Sequence, residues 1–266
     1  MSDAECVAFL QWALPQLGLR WDGFRRVRAQ VCKRLKRRIS SLGVDGFSDY
    51  RERLAADAQE WSALDACCRV TISRFFRDKG VFEALRMRVL PDIAARTAQE
   101  RRDARLWSAG CASGEEPYTC KILWPIEVNA AALSIIATDT DESVLERARQ
   151  ACYQPSSLRE LPGKLVTEGF VRAGRSLCVR SRYREGVTFV RQDLRSTAPS
   201  GLFDLVLCRN LAFTYFVPPL QQEVLRRIVE RLAPRGYLVI GAHEQLPEPL
   251  LALVPGTAHI FQAEAT

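Results

Sequence analysis

Residues 105–116 read Arg-Leu-Trp-Ser-Ala-Gly-Cys-Ala-Ser-Gly-Glu-Glu, and no other stretch limits the fold as narrowly. Leu106 and Trp107 close a short apolar run, and small residues follow from Ser108 to Gly114. Glu115, Glu116 and Pro117 then open a helix, with Pro117 in a first turn where its missing N–H costs nothing. A strand that runs through a small-residue turn into a helix is how open α/β sheets build nucleotide pockets. Small residues, Gly110 and Ala112 among them, let a ligand approach the backbone closely. A phosphate is the wrong occupant, because two carboxylates at the helix N-terminus repel it. The turn suits a ligand with amine, hydroxyl or sulfonium groups.

The stretches that follow repeat the pattern. The helix after Glu116 is expected to run to about Val128. Leu133 to Thr138 is apolar and ends in Asp139, which predicts a second buried parallel strand with an acid at its C-terminal end. Such an acid is placed to accept hydrogen bonds from a ribose diol. The alternative is a helix cap, but Asp141 stands closer to that position and leaves Asp139 free. Val187 to Val190 predicts another strand, closed by Arg191-Gln192-Asp193-Leu194. There Asp193 is placed to hold an adenine amino group while the Leu194 backbone meets the ring; the other reading is a solvated turn. Leu202 to Cys208 reads as the most buried strand and ends in Arg209 and Asn210. Gln221 to Leu232 predicts a helix, and Tyr237–Ile240 and Ala258–Ala263 predict further strands. Strands alternating with helices give an α/β fold, a doubly wound Rossmann-like sheet with its functional edge at the strand C-termini. Residues 165–186 interrupt it as a short basic insert of hairpin or loop type. S-adenosylmethionine (SAM) carries an amine, a diol and a sulfonium and no phosphate, so it matches the turn.

The first eighty residues read differently. Helices are expected over 4–19, 22–42, 47–56 and 58–68, with Val27, Val31, Leu35 and Ile39 recurring at spacing four. Arg20, Arg25, Arg26, Arg28, Lys33, Arg34, Lys36, Arg37 and Arg38 crowd the same region against Asp22 alone. That face attracts an acidic protein or a nucleic acid, or it is a solvated helix surface. Residues 69–85 hold Ser73, Phe75, Phe76 and Arg77, either a hydrophobic staple or a lid that carries an arginine over the pocket. The expected division is a helical domain over 1–80, a linker helix over 81–104 and the α/β domain over 105–266.

Composition excludes some classes. No window is long and apolar enough to cross a membrane, and acids precede any base at the N-terminus, unlike a signal peptide. Nine scattered cysteines without Cys-x-x-Cys predict reduced thiols in a cytoplasmic protein. His243 and His259, the only two histidines, are remote from any cysteine pair, so no metal site is expected. The net charge of +7 makes an acidic partner the natural one.

With these residues in view, the sequence resembles the CheR family of chemotaxis receptor methyltransferases. The likeness rests on Phe75-Phe-Arg-Asp78, Ser108 to Tyr118, Ala137-Thr-Asp-Thr-Asp141, Phe203-Asp-Leu, Cys208-Arg-Asn210 and Tyr215-Phe216, and it spans nearly the whole chain. It implies a SAM-dependent enzyme that esterifies glutamate side chains on receptor helices and releases S-adenosylhomocysteine. It implies that Arg77 and Tyr215 line the methyl-transfer site. It implies cofactor contacts from Ser73, Arg77, Gly110, Ala112, Glu116, Asp139, Asp193, Leu194, Arg209 and Asn210, and receptor contacts from Arg34, Arg37 and Arg38. The family pattern is altered in several places, the short basic 165–186 insert among them. Four residues rather than three separate Asn210 from Tyr215, Gly241-Ala-His-Glu replaces Gly-His-Ser-Glu, and Asp193 stands where Asn is common. A carboxylate acceptor is ionised at neutral pH and needs no general base, so the want of a histidine near these motifs agrees with it. The rival readings are a SAM-dependent enzyme acting on a small-molecule acid or RNA, and a SAM- or receptor-binding module without catalysis. A monomer is expected.

Overall fold

The computed structural model describes residues 1–124 and 132–265, which divide into two units. Met1–Val70 with Thr214–Gln221 forms the first, and Thr71–Phe213 with Gln222–Thr266 the second. The division falls at Val70, ahead of the boundary expected at residue 80. Residues 81–104 belong to the second unit instead of standing as a linker.

In the first unit, Ser2 opens α1 (Asp3–Gln16) with a capping box shared with Glu5. Helix α1 buries Cys6, Phe9, Leu10, Ala13 and Leu14. The Phe9 ring meets Phe47 and Tyr50 at centroid distances of 5.0 and 5.6 Å. The single helix expected over 22–42 is broken into α2 (Trp21–Phe24) and α3 (Arg28–Ser41). The cause is the Thr214–Gln221 segment. Arg20 donates its N–H to the Tyr215 carbonyl at 2.8 Å and its Nε to Thr214 O at 3.0 Å. A Cβ on Gly23 would lie 2.4 Å from the same Thr214 oxygen, so only glycine permits this approach. The chain turns at 25–27, after which Val31, Leu35 and Ile39 enter the core as their spacing predicts. Val27 leaves the stripe and caps α3. Helices α4 (Gly46–Ala56) and α5 (Ala58–Cys68) complete the unit.

The second unit begins with residues 71–78, then α6 (Lys79–Ala84), a π-turn at Leu85–Val89 and α7 (Leu90–Gln99). The linker helix expected over 81–104 is thus interrupted and ends at Gln99. Pro91 lacks a donor and would press its ring on the preceding turn, and the wider π-turn absorbs the mismatch. The sheet is built from β1 (Ala104–Ala109), β2 (Leu133–Asp139), β6 (Val187–Arg191), β7 (Phe203–Cys208) and β8 (Leu232–Ile240), all parallel. Two short antiparallel strands, β9 (Ala252–Leu253) and β10 (Ile260–Gln262), close the edge beyond β8. The order is β6-β2-β1-β7-β8-β10-β9. The chain therefore moves outward from β1 to β6, then returns to the other side of β1 as β7. That reversal leaves a crevice at the C-terminal ends of β1 and β7, where doubly wound sheets take their ligands. Helix α8 (Glu115–Leu123) follows β1 and α9 (Glu142–Gln150) follows β2. The end expected for α8 near Val128 lies outside the described residues.

The insert is a three-stranded antiparallel sheet, β3 (Cys152–Tyr153), β5 (Ser176–Val179) and β4 (Phe170–Ala173) in that order, with α10 (Gly163–Gly169) beside it. Helices α11 (Ala212–Tyr215) and α12 (Pro218–Val229) follow β7. Fully reduced thiols are not what the structure holds. Cys6 is bonded to Cys32, and Cys152 to Cys178. The reason is placement: Cys6 and Cys32 share the helical core, and Cys152 and Cys178 are register partners across β3 and β5. The other five cysteines are free thiols. Among the described residues no helix is long and apolar enough to cross a membrane.

Candidate active site

The register of the central strands brings the sequence motifs together. Ala109 pairs with Thr138 on one side and with Cys208 on the other, so the residues that leave β1, β2 and β7 emerge side by side. The turn after β1 folds over the end of β2, with the Gly110 and Cys111 N–H groups donating to Thr138 O at 2.8 and 3.0 Å. Gly110 holds φ +74°, and a Cβ there would strike Leu211 at 2.5 Å. Ala112 holds φ 47° and donates its N–H to Asp139 Oδ2 at 2.9 Å. Asp139 also accepts from the Asp141 N–H at 3.0 Å, while Asp141 caps α9 as its position predicts. Burial raises the Asp139 carboxyl above its ordinary range, against the lowering effect of these backbone donors. Asp139 remains part-exposed at the strand end, with acceptor capacity for a diol.

Glu115 and Glu116 open α8 and are both enclosed. Glu115 is 5% exposed, and burial pushes its carboxyl up, partly offset by the Ser73 hydroxyl and the Arg147 charge. Glu116 accepts from Ser108 Oγ at 2.8 Å and from the Arg209 guanidinium at 2.9 Å. Arg209 also donates to Asp78 Oδ2 at 2.9 Å and to the Arg77 carbonyl at 2.7 Å, and lies 4.8 Å over the Phe82 ring. Arg209 is thus a buried tie between β7, α8 and the 71–78 segment.

That segment is anchored by its two phenylalanines. Phe75 packs edge-on against Tyr153 and Phe170 at 4.8 and 5.0 Å, and Phe76 stacks on Phe82 at 5.4 Å. Both rings are fully buried in the core of the second unit. Phe76 and Asp78 both sit at positive φ, 61° and 63°, a costly conformation for non-glycine residues and one that brackets Arg77. Arg77 donates to Ile72 O at 2.9 Å and to Asn210 Oδ1 at 3.2 Å. Both acceptors are neutral, and among the described residues Arg77 makes no ion pair. Asn210 itself is held at φ 54° by Glu244, whose buried carboxylate accepts the N–H groups of Asn210, Leu211 and Gly241.

The predicted residues fall into groups. Ser73, Arg77, Gly110, Ala112, Glu116, Asp139, Arg209 and Asn210 gather at the sheet's C-terminal edge. Asp193 and Leu194 follow β6 and connect to Asp139 through Gln192, whose N–H donates to Asp139 O at 2.9 Å. Asp193 is clamped by Arg195 at 2.7–3.0 Å, which gives the acid an internal countercharge. Tyr215 belongs to the first unit, its ring 5.0 Å from Phe24. The three basic residues of α3 do not share one environment. Arg34 donates to the Arg69 carbonyl. Arg38 grips the buried Glu60 with two hydrogen bonds of 3.0 and 2.6 Å. Arg37 alone of the three is exposed. Asp78 and Glu244 are not among the site residues expected from the sequence, although both stand in its motifs: an acid directly after Phe-Phe-Arg, and an acid three residues past Gly241, which follows β8. His243 is exposed. Among the described residues no cluster of His, Cys, Asp and Glu has the makings of a metal site.

Residues 71–257 match the family model described as CheR methyltransferase, SAM binding domain. A chemotaxis protein methyltransferase of Listeria monocytogenes is 32% identical over 219 residues, covering 81% of this chain and 82% of the relative. That of Escherichia coli is 33% identical over 235 residues, covering 82% and 76%. The N-methyltransferase NodS of Bradyrhizobium japonicum superposes with a TM-score of 0.40 at 14% identity, over 71% of this chain and 99% of that one.

Proposed function

Because the chain belongs to the CheR methyltransferase family, we propose that it is a SAM-dependent protein-glutamate O-methyltransferase acting on acidic helices of the chemoreceptor type. SAM supplies a methyl group activated on a sulfonium. The residues present suit that cofactor. Asp139 has acceptor capacity for the ribose diol, the Asp193-Leu194 turn meets the adenine, and Gly110 and Ala112 admit close contact with the backbone. Glu116, fixed by Ser108 and Arg209, meets the ammonium.

One observation carries the choice of acceptor. The Arg77 guanidinium is held by two neutral oxygens and by no carboxylate, so its charge is left for an anionic partner. A glutamate side chain arrives ionised at neutral pH and needs no base. The planar guanidinium holds it by two parallel bonds and orients one oxygen for attack. The likeness to the family assigns Tyr215 as the second catalytic group. Arg37 is the member of the α3 face best placed to meet an acidic helix, since Arg34 and Arg38 are engaged internally. We place this activity in the cytoplasm and in a monomer.

The test replaces Arg77 with Ala and with Lys. Turnover at saturating SAM on an acidic helical peptide should fall by about 100-fold in Arg77→Ala, with Lys recovering only part, a loss well beyond any fall in SAM affinity. Loss of SAM binding with no change in turnover per bound cofactor would contradict the acceptor role.

A further inference from the structure

We infer that Glu244 is a positioning residue for methyl transfer, acting through Asn210 to aim the Arg77 guanidinium; this rests on the reading of Arg77 given above. Three backbone N–H groups converge on one carboxylate. Oε2 accepts from Asn210 at 2.8 Å and from Gly241 at 2.7 Å, and Oε1 accepts from Leu211 at 3.1 Å. The carboxylate is 4% exposed. A buried anion is tolerated when its lone pairs are taken up by such donors. The three donors come from two segments, the loop after β7 and the end of β8, so Glu244 stitches these segments together.

The loop needs the stitch. Asn210 sits at φ 54°, a region that non-glycine residues occupy at a cost and keep only when their surroundings fix them. That conformation presents the Asn210 side-chain oxygen to Arg77 at 3.2 Å. Released from Glu244, Asn210 is free to relax to negative φ and withdraw this oxygen. Arg77 would keep only the Ile72 carbonyl. Gly241 reports how tight the clamp is: a Cβ there would lie 2.8 Å from Glu244 Oε2 and 3.0 Å from Asn210 Cγ. Arg209, the neighbour of Asn210, is held independently by Glu116 and Asp78. The clamp therefore acts on Arg77 through Asn210, apart from the tie that holds Arg209.

The test is a double-mutant cycle on the full chain. Glu244→Gln keeps size but sets an amide NH₂ against a backbone N–H. Asn210→Gly removes the side-chain oxygen while tolerating positive φ. Two readouts are taken: the rate at which phenylglyoxal modifies Arg77, followed by peptide mass spectrometry, and kcat on an acidic helical peptide. Glu244→Gln should raise Arg77 reactivity by about threefold and lower kcat by about tenfold, with SAM affinity within about twofold. The double variant should be no worse than the poorer single one, because both changes break the same chain of contacts. Gly241→Ala, a milder displacement of the carboxylate, should shift both readouts in the same direction and serves if Glu244→Gln does not fold. Wild-type reactivity and turnover in Glu244→Gln or Gly241→Ala, or effects that multiply in the double variant, would overturn the inference. Absence of turnover in the wild type would instead refute the glutamate-acceptor reading, while Arg77 reactivity still judges the clamp.

Discussion

Replacing Arg38 with Ala separates a structural arginine from a docking one. Arg38 donates two hydrogen bonds, 3.0 and 2.6 Å, to Glu60, which is 3% exposed and also accepts from the Tyr50 hydroxyl at 2.6 Å. Hydrogen bonds to charged groups contribute about 1.5–3 kcal/mol each. The Arg38 side chain is 37% exposed, so water and salt screen its share and the sum must be discounted. What remains is a nearly enclosed carboxylate left with Tyr50 alone, at a cost of about 2 kcal/mol. For a unit of this size that is a fall of about 10 °C in Tm, if the helical unit melts by itself. The sign of the pH dependence follows from Glu60. Its hydrogen bond to Arg38 holds the carboxyl below the ordinary range. The stabilisation is therefore present above the unfolded value and is lost as pH falls through the lower folded value. Thermal melts followed by circular dichroism should show a large gap between wild type and Arg38→Ala at pH 7 that closes in acid. Arg37→Ala, at an exposed position, should leave Tm within about 1 °C and raise the KM for an acidic helical acceptor. An Arg38→Ala protein with wild-type Tm at pH 7 and a raised acceptor KM would refute this assignment.

Two further outcomes follow from the cofactor side. Asp139→Ala should weaken SAM and S-adenosylhomocysteine by at least about tenfold in calorimetric titration, since it removes the diol acceptor and also frees the Ala112 turn. Glu115→Gln should stabilise the protein at pH 7 by on the order of 1 kcal/mol. Burial raises this carboxyl, so its ionised form works against folding as pH rises through the folded value, and the gain should vanish in acid melts.

The centre of this molecule was readable because its constraints are local. Small residues from Ser108 to Gly114 announce a turn, and a buried run closed by Asp139 or by Arg209-Asn210 announces a strand end. What stayed hidden depends on contacts remote in sequence. Arg38 looks like any base on a charged helix until Glu60, on a different helix, takes it inward. Nothing near Gly23 tells that residues 214–221 will cross it, so one helix was expected where the chain turns at 25–27. Each of the two cysteine pairs spans 26 residues with no local mark, and only helix packing or strand register reveals them. Pro91 stands inside the helix expected over 81–104, and the π-turn that carries the chain past it shows only in the folded structure. Glu244 was legible as a residue and not as a clamp, because its donors sit more than thirty positions away as well as beside it.

The most direct measurement of the central claim is the fate of the transferred methyl group. The protein is incubated with methyl-labelled SAM and an acidic chemoreceptor-type helix, and the product is split between neutral buffer and mild alkali. Label on glutamate side chains, released as methanol in alkali and retained at neutral pH, is the predicted result. Label that survives alkali would mean an amine or another stable acceptor and would contradict the carboxylate reading of Arg77.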